Sequence, residues 1–291
     1  LTVTGGYANL GTRTDTVGTV TLTSGGITGT SGVLTGTSYA MQSGTVSAVL
    51  AGGIALAKTT AGTLIMTNTN TYSGTTTITA GTIRATSSGG LGDGSGTNTL
   101  IFNGGTLQAG GDISSPSGRA VTLTSSGLID TNGYTINFAG TVGSASGFTK
   151  YGTGTLTTSG AVTLGNAMSI THGTYNQAGS LNMTSGTVTI ASPGTWSNVG
   201  TGAVTLAGAV TNSGVITLNS NNGSQCVDGA NSILVRSSVN NTLRAWSGTG
   251  TFNMYNLDVD DMTGAGVTVY NSTLSGDTTW TVGTCGIIVS G

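Results

Sequence analysis

The sequence predicts an all-β fold, a right-handed parallel β-helix (β-solenoid) of about 12–14 coils. Three observations point to it: the residues that build helix surfaces are scarce, apolar residues alternate with period two, and a glycine-led phrase recurs along the chain. Charged residues make up 5% of the 291-residue chain, and all nine acids are Asp. An ordinary domain carries about 25%. Helix surfaces draw on Glu, Lys, Arg, Gln and Ala; four of these five are scarce or absent here, so helix is excluded as the main element. In their place stand 52 Gly and a large excess of Thr and Ser. β-Branched Thr, Val and Ile favour strands, and Gly supplies the positive φ of tight turns. Two Pro exclude collagen and proline-rich linkers. An apolar fraction of 36% and a net charge of −2 argue against disorder.

The alternation is legible phrase by phrase. In Gly18–Ser24, Val20 and Leu22 share one face and Thr19, Thr21 and Thr23 the other. Gly62 leads Leu64 and Met66, Gly81 leads Ile83 and Ala85, and Gly105 leads Leu107 and Ala109. Further on, Gly186 leads Val188 and Ile190, Gly202 leads Val204 and Leu206, and Gly266 leads Val267 and Val269. Such phrases read as strands with one buried face. Units begin near residues 18, 44, 62, 81, 104, 127, 152, 173, 186, 208, 229, 249 and 265. Most intervals are near 20 residues, a period that means stacked repeats. A β-sandwich would also show regularly spaced strands, but would not need this many similar units. In a solenoid each coil pairs with those above and below, and like residues form ladders on the outer faces.

Composition also limits partners. No Lys/Arg cluster exists to neutralise phosphates, so nucleic acid is not an expected partner. The same lack argues against anionic membrane surfaces, and no run of about 18 apolar residues is present to span a bilayer. The opening LTVTGGYANL has no signal-peptide pattern, which reads as a processed chain or part of a larger precursor. Cys226 and Cys285 are too few for a disulfide framework. In the expected register they lie about three coils, roughly 14 Å, apart, so no bridge between them is expected.

Residues 27–85 carry a more specific pattern. Lys58-Thr-Thr-Ala-Gly-Thr-Leu is followed by Asn70-Thr-Tyr-Ser-Gly-Thr-Thr-Thr-Ile and then by Ala80-Gly-Thr-Ile. This stretch resembles the autotransporter-associated β-helix repeat of large bacterial surface proteins. The run from Gly89, GGLGDGSGTNTLIFNGGTLQAGG, continues it, and Tyr151-Gly-Thr-Gly-Thr-Leu begins a weaker copy. Residues 233–283 resemble a second β-helix pattern of secreted bacterial proteins. Both resemblances imply an extracellular or cell-surface parallel β-helix. The organisation they imply is N-terminal coils over 1–43, autotransporter-like repeats over 44–228 and C-terminal coils over 229–291. No outer-membrane barrel pattern follows residue 200, so the chain reads as a released passenger, a fragment or a protein exported another way.

Few constellations carry chemistry. In Leu257-Asp-Val-Asp-Asp261, Leu257 and Val259 face inward while Asp258 and Asp260 face out, about 6.6–6.8 Å apart at Cα. That spacing suits an inverting glycosidase pair, but Arg236 and Arg244 are the only bases nearby. Asp258, Asp260 and Asp261 are better candidates for calcium, which takes six to eight oxygens, and best read as an exposed acidic strand. No other cofactor is implied. Gly89-Gly-Leu-Gly-Asp93 approaches the calcium-binding nonapeptide, yet reads as a glycine-rich corner because the Asp is one position early and the unit does not recur. His172, the single histidine, lacks a nucleophile elbow or metal partners. Trp196, Trp246 and Trp280, with eight Tyr, either stack on sugars or cover apolar surface.

The expected function is therefore non-enzymatic: a structural subunit or module of a bacterial surface fibre, sheath or stalk. An adhesin or glycan-binding passenger is the alternative, and a polysaccharide hydrolase or lyase ranks last. Expected partners are further copies of the chain, with cell-surface glycans under the alternative. The charge-free first stretch Leu1–Gly11 and the apolar run Ile287-Ile-Val289 are the strands expected to join subunits head to tail.

Overall fold

Short runs of alternating Thr and aliphatic residues form short strands, and glycines at their boundaries let the chain turn onto the next face. The outcome, in a computed structural model that describes residues 1–220 and 232–283, is a β-solenoid of parallel strands. Among the described residues the single helical element is the 3₁₀ turn Ser88–Leu91. The chain divides into two compact units, Leu1–Leu156 and Thr157–Gly291.

In the first unit the leading strands of successive coils begin at Thr2, Thr19, Ser38, Leu56, Thr76, Leu100, Val121 and Val142. Each pairs in parallel with the next, so that Val20 lies against Tyr39, Tyr39 against Leu56 and Leu56 against Thr76. A second face stacks Leu64, Ile83, Leu107 and Ile129 into one interior column. A third face carries Thr14–Thr16, Val33–Thr35 and Val49–Ala51, and later Ile113–Ser115 and Thr135–Phe138. In the second unit the leading strands begin at Val162, Leu181, Val204, Ile233, Leu257 and Thr273. The coil number agrees with the expected range of about 12–14.

The alternation places side chains as read. Val20, Leu22, Leu64, Met66, Ile83, Ala85, Leu107 and Ala109 are buried, as are Val188, Ile190, Val204, Leu206, Val267 and Val269. Gly81 shows why glycine leads these strands. Its φ is +65°, and a Cβ there would sit 2.4 Å from the carbonyl oxygens of Gly62 and Thr60; only glycine tolerates both conditions. The phrases do not all mark the same face, however. Those at 44, 62, 81 and 104 lead second-face strands, whereas those at 173, 249 and 265 lead third-face strands such as Thr174–Gln177, Thr251–Tyr255 and Thr268–Tyr270. The irregular intervals of the second half come from this change of face.

Polar groups inside the first unit stitch coils together. Lys58 is fully buried, and its Nζ donates to the carbonyls of Thr60 and Ala80 (the latter 3.0 Å). Asn70 accepts from Leu50 N (2.8 Å) and donates to Gly90 O (3.3 Å), so one side chain spans the coils before and after its own. Tyr72 Oη meets Thr76 Oγ1 at 2.8 Å, and that hydroxyl donates to Leu91 O. Lys150 Nζ donates to Thr131 Oγ1, Tyr151 O and Gly152 O at 3.0, 3.0 and 2.6 Å. Buried carbonyls thereby obtain donors, as a dry interior requires.

This burial makes stability pH-dependent. Desolvation pulls the Lys150 amine down to about 8 from an ordinary 10.5, with the Asp130 carboxylate acting in the opposite direction. The unfolded chain therefore holds a proton between pH 8 and 10.5 that the folded chain has released, so stability rises with pH through that window. Burial pushes the Tyr72 and Tyr175 phenols up from 10.0. Their neutral form is favoured by folding, so their contribution is lost as pH rises above 10. The urea midpoint of unfolding should rise from pH 8 toward 10 and then fall, and Lys150→Met should flatten the rise. A midpoint that only falls across pH 8–10 would contradict this.

Candidate binding surface

On the outer face of the second unit, parallel register aligns Thr163, Asn182, Thr205, Arg236, Asp260 and Ser275 in one column. Successive members stand about 4.8 Å apart, the strand spacing of a sheet. Beside this column the coil regularity breaks. The strands Ile233–Ser237 and Arg244–Ser247 are separated by residues 238–243, a longer link than the one between Val204–Leu206 and Val210–Asn212.

The link is held in place. Asp261 is buried, with φ +58°, and its carboxylate accepts from Asn241 N at 2.7 Å and from Asp277 N at 3.4 Å. Ser237 Oγ accepts from Val239 N and from Arg244 Nε, at 3.2 and 2.9 Å. Thr242 N donates to Val239 O and closes the turn. Val239 is left 55% exposed at its crest. Between this wall and the column lies a groove of about 610 Å³, lined by Asn182, Thr184, Thr205, Arg236, Ser238 and Val239, with Ser180, Leu181 and Ala203 completing it. Beyond Arg236 a smaller depression of about 340 Å³ is lined in part by Asn240, Asp260 and Asp261.

The acidic candidates divide by role. Leu257 and Val259 are buried, and Asp258 and Asp260 lie on the outer face. Asp261 points in and anchors the wall rather than presenting its oxygens outward. Among the described residues no group of three or more His, Cys, Asp or Glu side chains is placed to hold a metal. The Gly89–Asp93 segment is a corner: Leu91 is buried, and Asp93 Oδ1 accepts from Ser95 N and Oγ. His172 sits in the turn before Gly173, whose φ is +64°. Cys226, Cys285 and the run Ile287–Val289 lie outside the described residues.

The tryptophans form core, not a platform. Trp196, Trp246 and Trp280 are buried, Trp246 stacking on Trp196 at 6.1 Å and meeting Trp280 edge-on at 5.0 Å. Tyr255 and Tyr270, paired in register, stack on each other at 5.1 Å. Tyr270 also lies over Gly283, where a Cβ would approach its ring to 2.4 Å. Both rings are spent on intramolecular contact. The groove and its wall escaped sequence reading, although the loss of alternation over residues 238–243 was a visible signal for them.

In the first unit the strands Leu56–Lys58, Thr63–Met66, Thr76–Ile78 and Thr82–Ala85 are the first- and second-face strands of two successive coils. The passenger-associated-transport-repeat family matches residues 56–85, which take in these four strands. Residues 56–85 are thus similar to a passenger-associated transport repeat. A stretch of 142 residues, 48% of the chain, is 35% identical to the adhesin BmaC autotransporter of Brucella suis biovar 1 (strain 1330). The chain spans 4% of that protein's length. No solved structure matches. The passenger repeat maps onto the polar stitching described above: it contains Lys58, Asn70, Tyr72, Thr76 and Gly81. Among the described residues no helix is long and apolar enough to cross a membrane.

Proposed function

We propose that the chain is a non-catalytic stalk segment of a bacterial surface protein of the autotransporter-passenger kind, lying outside the cell. The observation that carries this reading is the coincidence of the matched repeat with one full solenoid coil and the first two strands of the next, whose polar residues tie neighbouring coils together. A stack of this kind holds itself up by nearest-neighbour contacts. Its outer faces carry mostly uncharged Thr, Ser and Asn, which suit a spacer. Head-to-tail assembly of such segments into a fibre is the finer form of the same proposal. An adhesive role is the second reading, favoured by the 35% identity to a protein named as an adhesin.

Displayed through an autotransporter barrel on a laboratory bacterium, the chain should carry an N-terminal epitope tag outside the cell. It should also resist protease under conditions that degrade unfolded passengers. Retention inside the cell, or complete degradation at the surface, would contradict the stalk reading. Binding of the displaying cells to a glycan-coated or protein-coated surface, absent from cells without the chain, would move the balance to the adhesive reading.

A further inference from the structure

We propose that the groove between the Asn182–Thr205–Arg236 column and the wall of residues 238–243 binds an oligosaccharide through a carboxylate-bearing sugar. A stalk does not require such a site, so its failure would leave the stalk reading standing.

The groove's volume, about 610 Å³, falls within the roughly 300–1,000 Å³ of small-molecule sites. Its lining includes the uncharged donors and acceptors Asn182, Thr184, Thr205 and Ser238. Hydroxyl and amide groups of this kind exchange hydrogen bonds with sugar hydroxyls in either direction. The register sets Asn182, Thr205 and Arg236 at sheet spacing, about 4.8 Å per step, close to the length of one pyranose ring. Val239, exposed on the wall, supplies an apolar edge for the C–H face of a ring.

Arg236 fixes the charge of the ligand. It is exposed, lines both the groove and the smaller depression, and bonds to none of the described residues. In a chain with seven Lys plus Arg, of which Lys58, Arg119 and Lys150 are buried, an uncommitted guanidinium in a concavity is an uncommon resource. Its planar fork matches a carboxylate with two parallel hydrogen bonds. Asp260, its register neighbour, stands on the far side, in the smaller depression. The sign of charge therefore changes across Arg236, which favours seating the carboxylate on the groove side. The wall is anchored by Asp261 and Ser237, so little ordering is needed on binding, and a site already in shape spends less of its contact energy on ordering.

Trigalacturonate and sialyllactose, each beside its methyl ester, are titrated into the full chain by isothermal calorimetry. At least one of the two acids should bind, with its ester at least ten-fold weaker. Arg236→Gln should weaken the acid by a similar factor, and Asn182→Ala several-fold, with far-UV spectra unchanged. The bound oligosaccharide should be recovered at full length. Absence of binding by both acids, equal binding of acid and ester, or full affinity in R236Q would each overturn the proposal. So would binding of an acidic peptide in preference to both sugars.

Discussion

Trp246→Ala is expected to destabilise the second unit by about 3–5 kcal/mol, the usual range for truncating a buried Trp. Trp246 is 1% exposed. Its ring stacks on Trp196 with an interplanar angle of 21°, meets Trp280 at 82° and lies 6.3 Å from Phe252. Its indole Nε1 donates to Met262 Sδ at 3.2 Å. Trp196, Trp246 and Phe252 come from strands on different faces, and Trp280 from the segment just before Thr281–Gly283. Each aromatic pair adds about 0.5–1.5 kcal/mol beyond area burial, and alanine removes three pairs at once. Trp246→Phe keeps most of the volume and should cost much less. Denaturant unfolding followed by the fluorescence of the remaining tryptophans reads the effect locally, which matters because long repeat arrays need not unfold as one unit. A loss below about 1 kcal/mol would mean that the ring does not sit in a packed interior.

Arg119→Ala should cost a comparable amount, about 3–5 kcal/mol, by leaving buried acceptors without donors at about 1–3 kcal/mol each. Arg119 is 1% exposed and no carboxylate pairs with it at hydrogen-bond distance among the described residues. Its Nε and Nη2 both donate to Asn98 Oδ1, at 3.0 and 2.7 Å. Nη1 reaches Ser88 O and Oγ at 3.1 and 2.8 Å, and Nη2 also reaches Gly92 O at 2.9 Å. The guanidinium thus braces the link between the strands Thr82–Ala85 and Leu100–Phe102, which has no strand of its own. Hydrogen exchange should show protection lost over residues 86–98. Arg119→Lys should not restore it, because an ammonium cannot replace a planar fork that serves several acceptors. Unchanged protection in the alanine variant would contradict this role.

The fold was largely legible because a strand with one buried face writes its geometry into alternate positions. Val20 and Leu22, or Ile83 and Ala85, could be assigned to the interior from spacing alone. The matched repeat was legible for a different reason: Lys58, Asn70, Tyr72 and Gly81 each serve a bond or a turn that few other residues could serve. What the sequence hid is also physical. Composition says how many cations there are, not that Arg119 and Lys150 lie inside; burial of a charge is set by acceptors from distant coils. The tryptophans admitted two readings because an aromatic at an alternating position fits a core and a surface platform equally well. The groove was hidden because its floor joins residues from coils 23 and 31 positions apart, Asn182 to Thr205 and Thr205 to Arg236, and only register brings them into line.

The central claim, parallel coils stacked in register, is tested most directly by a crystal structure of the full chain. The expected result is one interior column of Leu64, Ile83, Leu107 and Ile129, each strand running parallel to the strand one coil later. Antiparallel neighbours, or a two-sheet sandwich that separates Ile83 from Leu64 and Leu107, would contradict it.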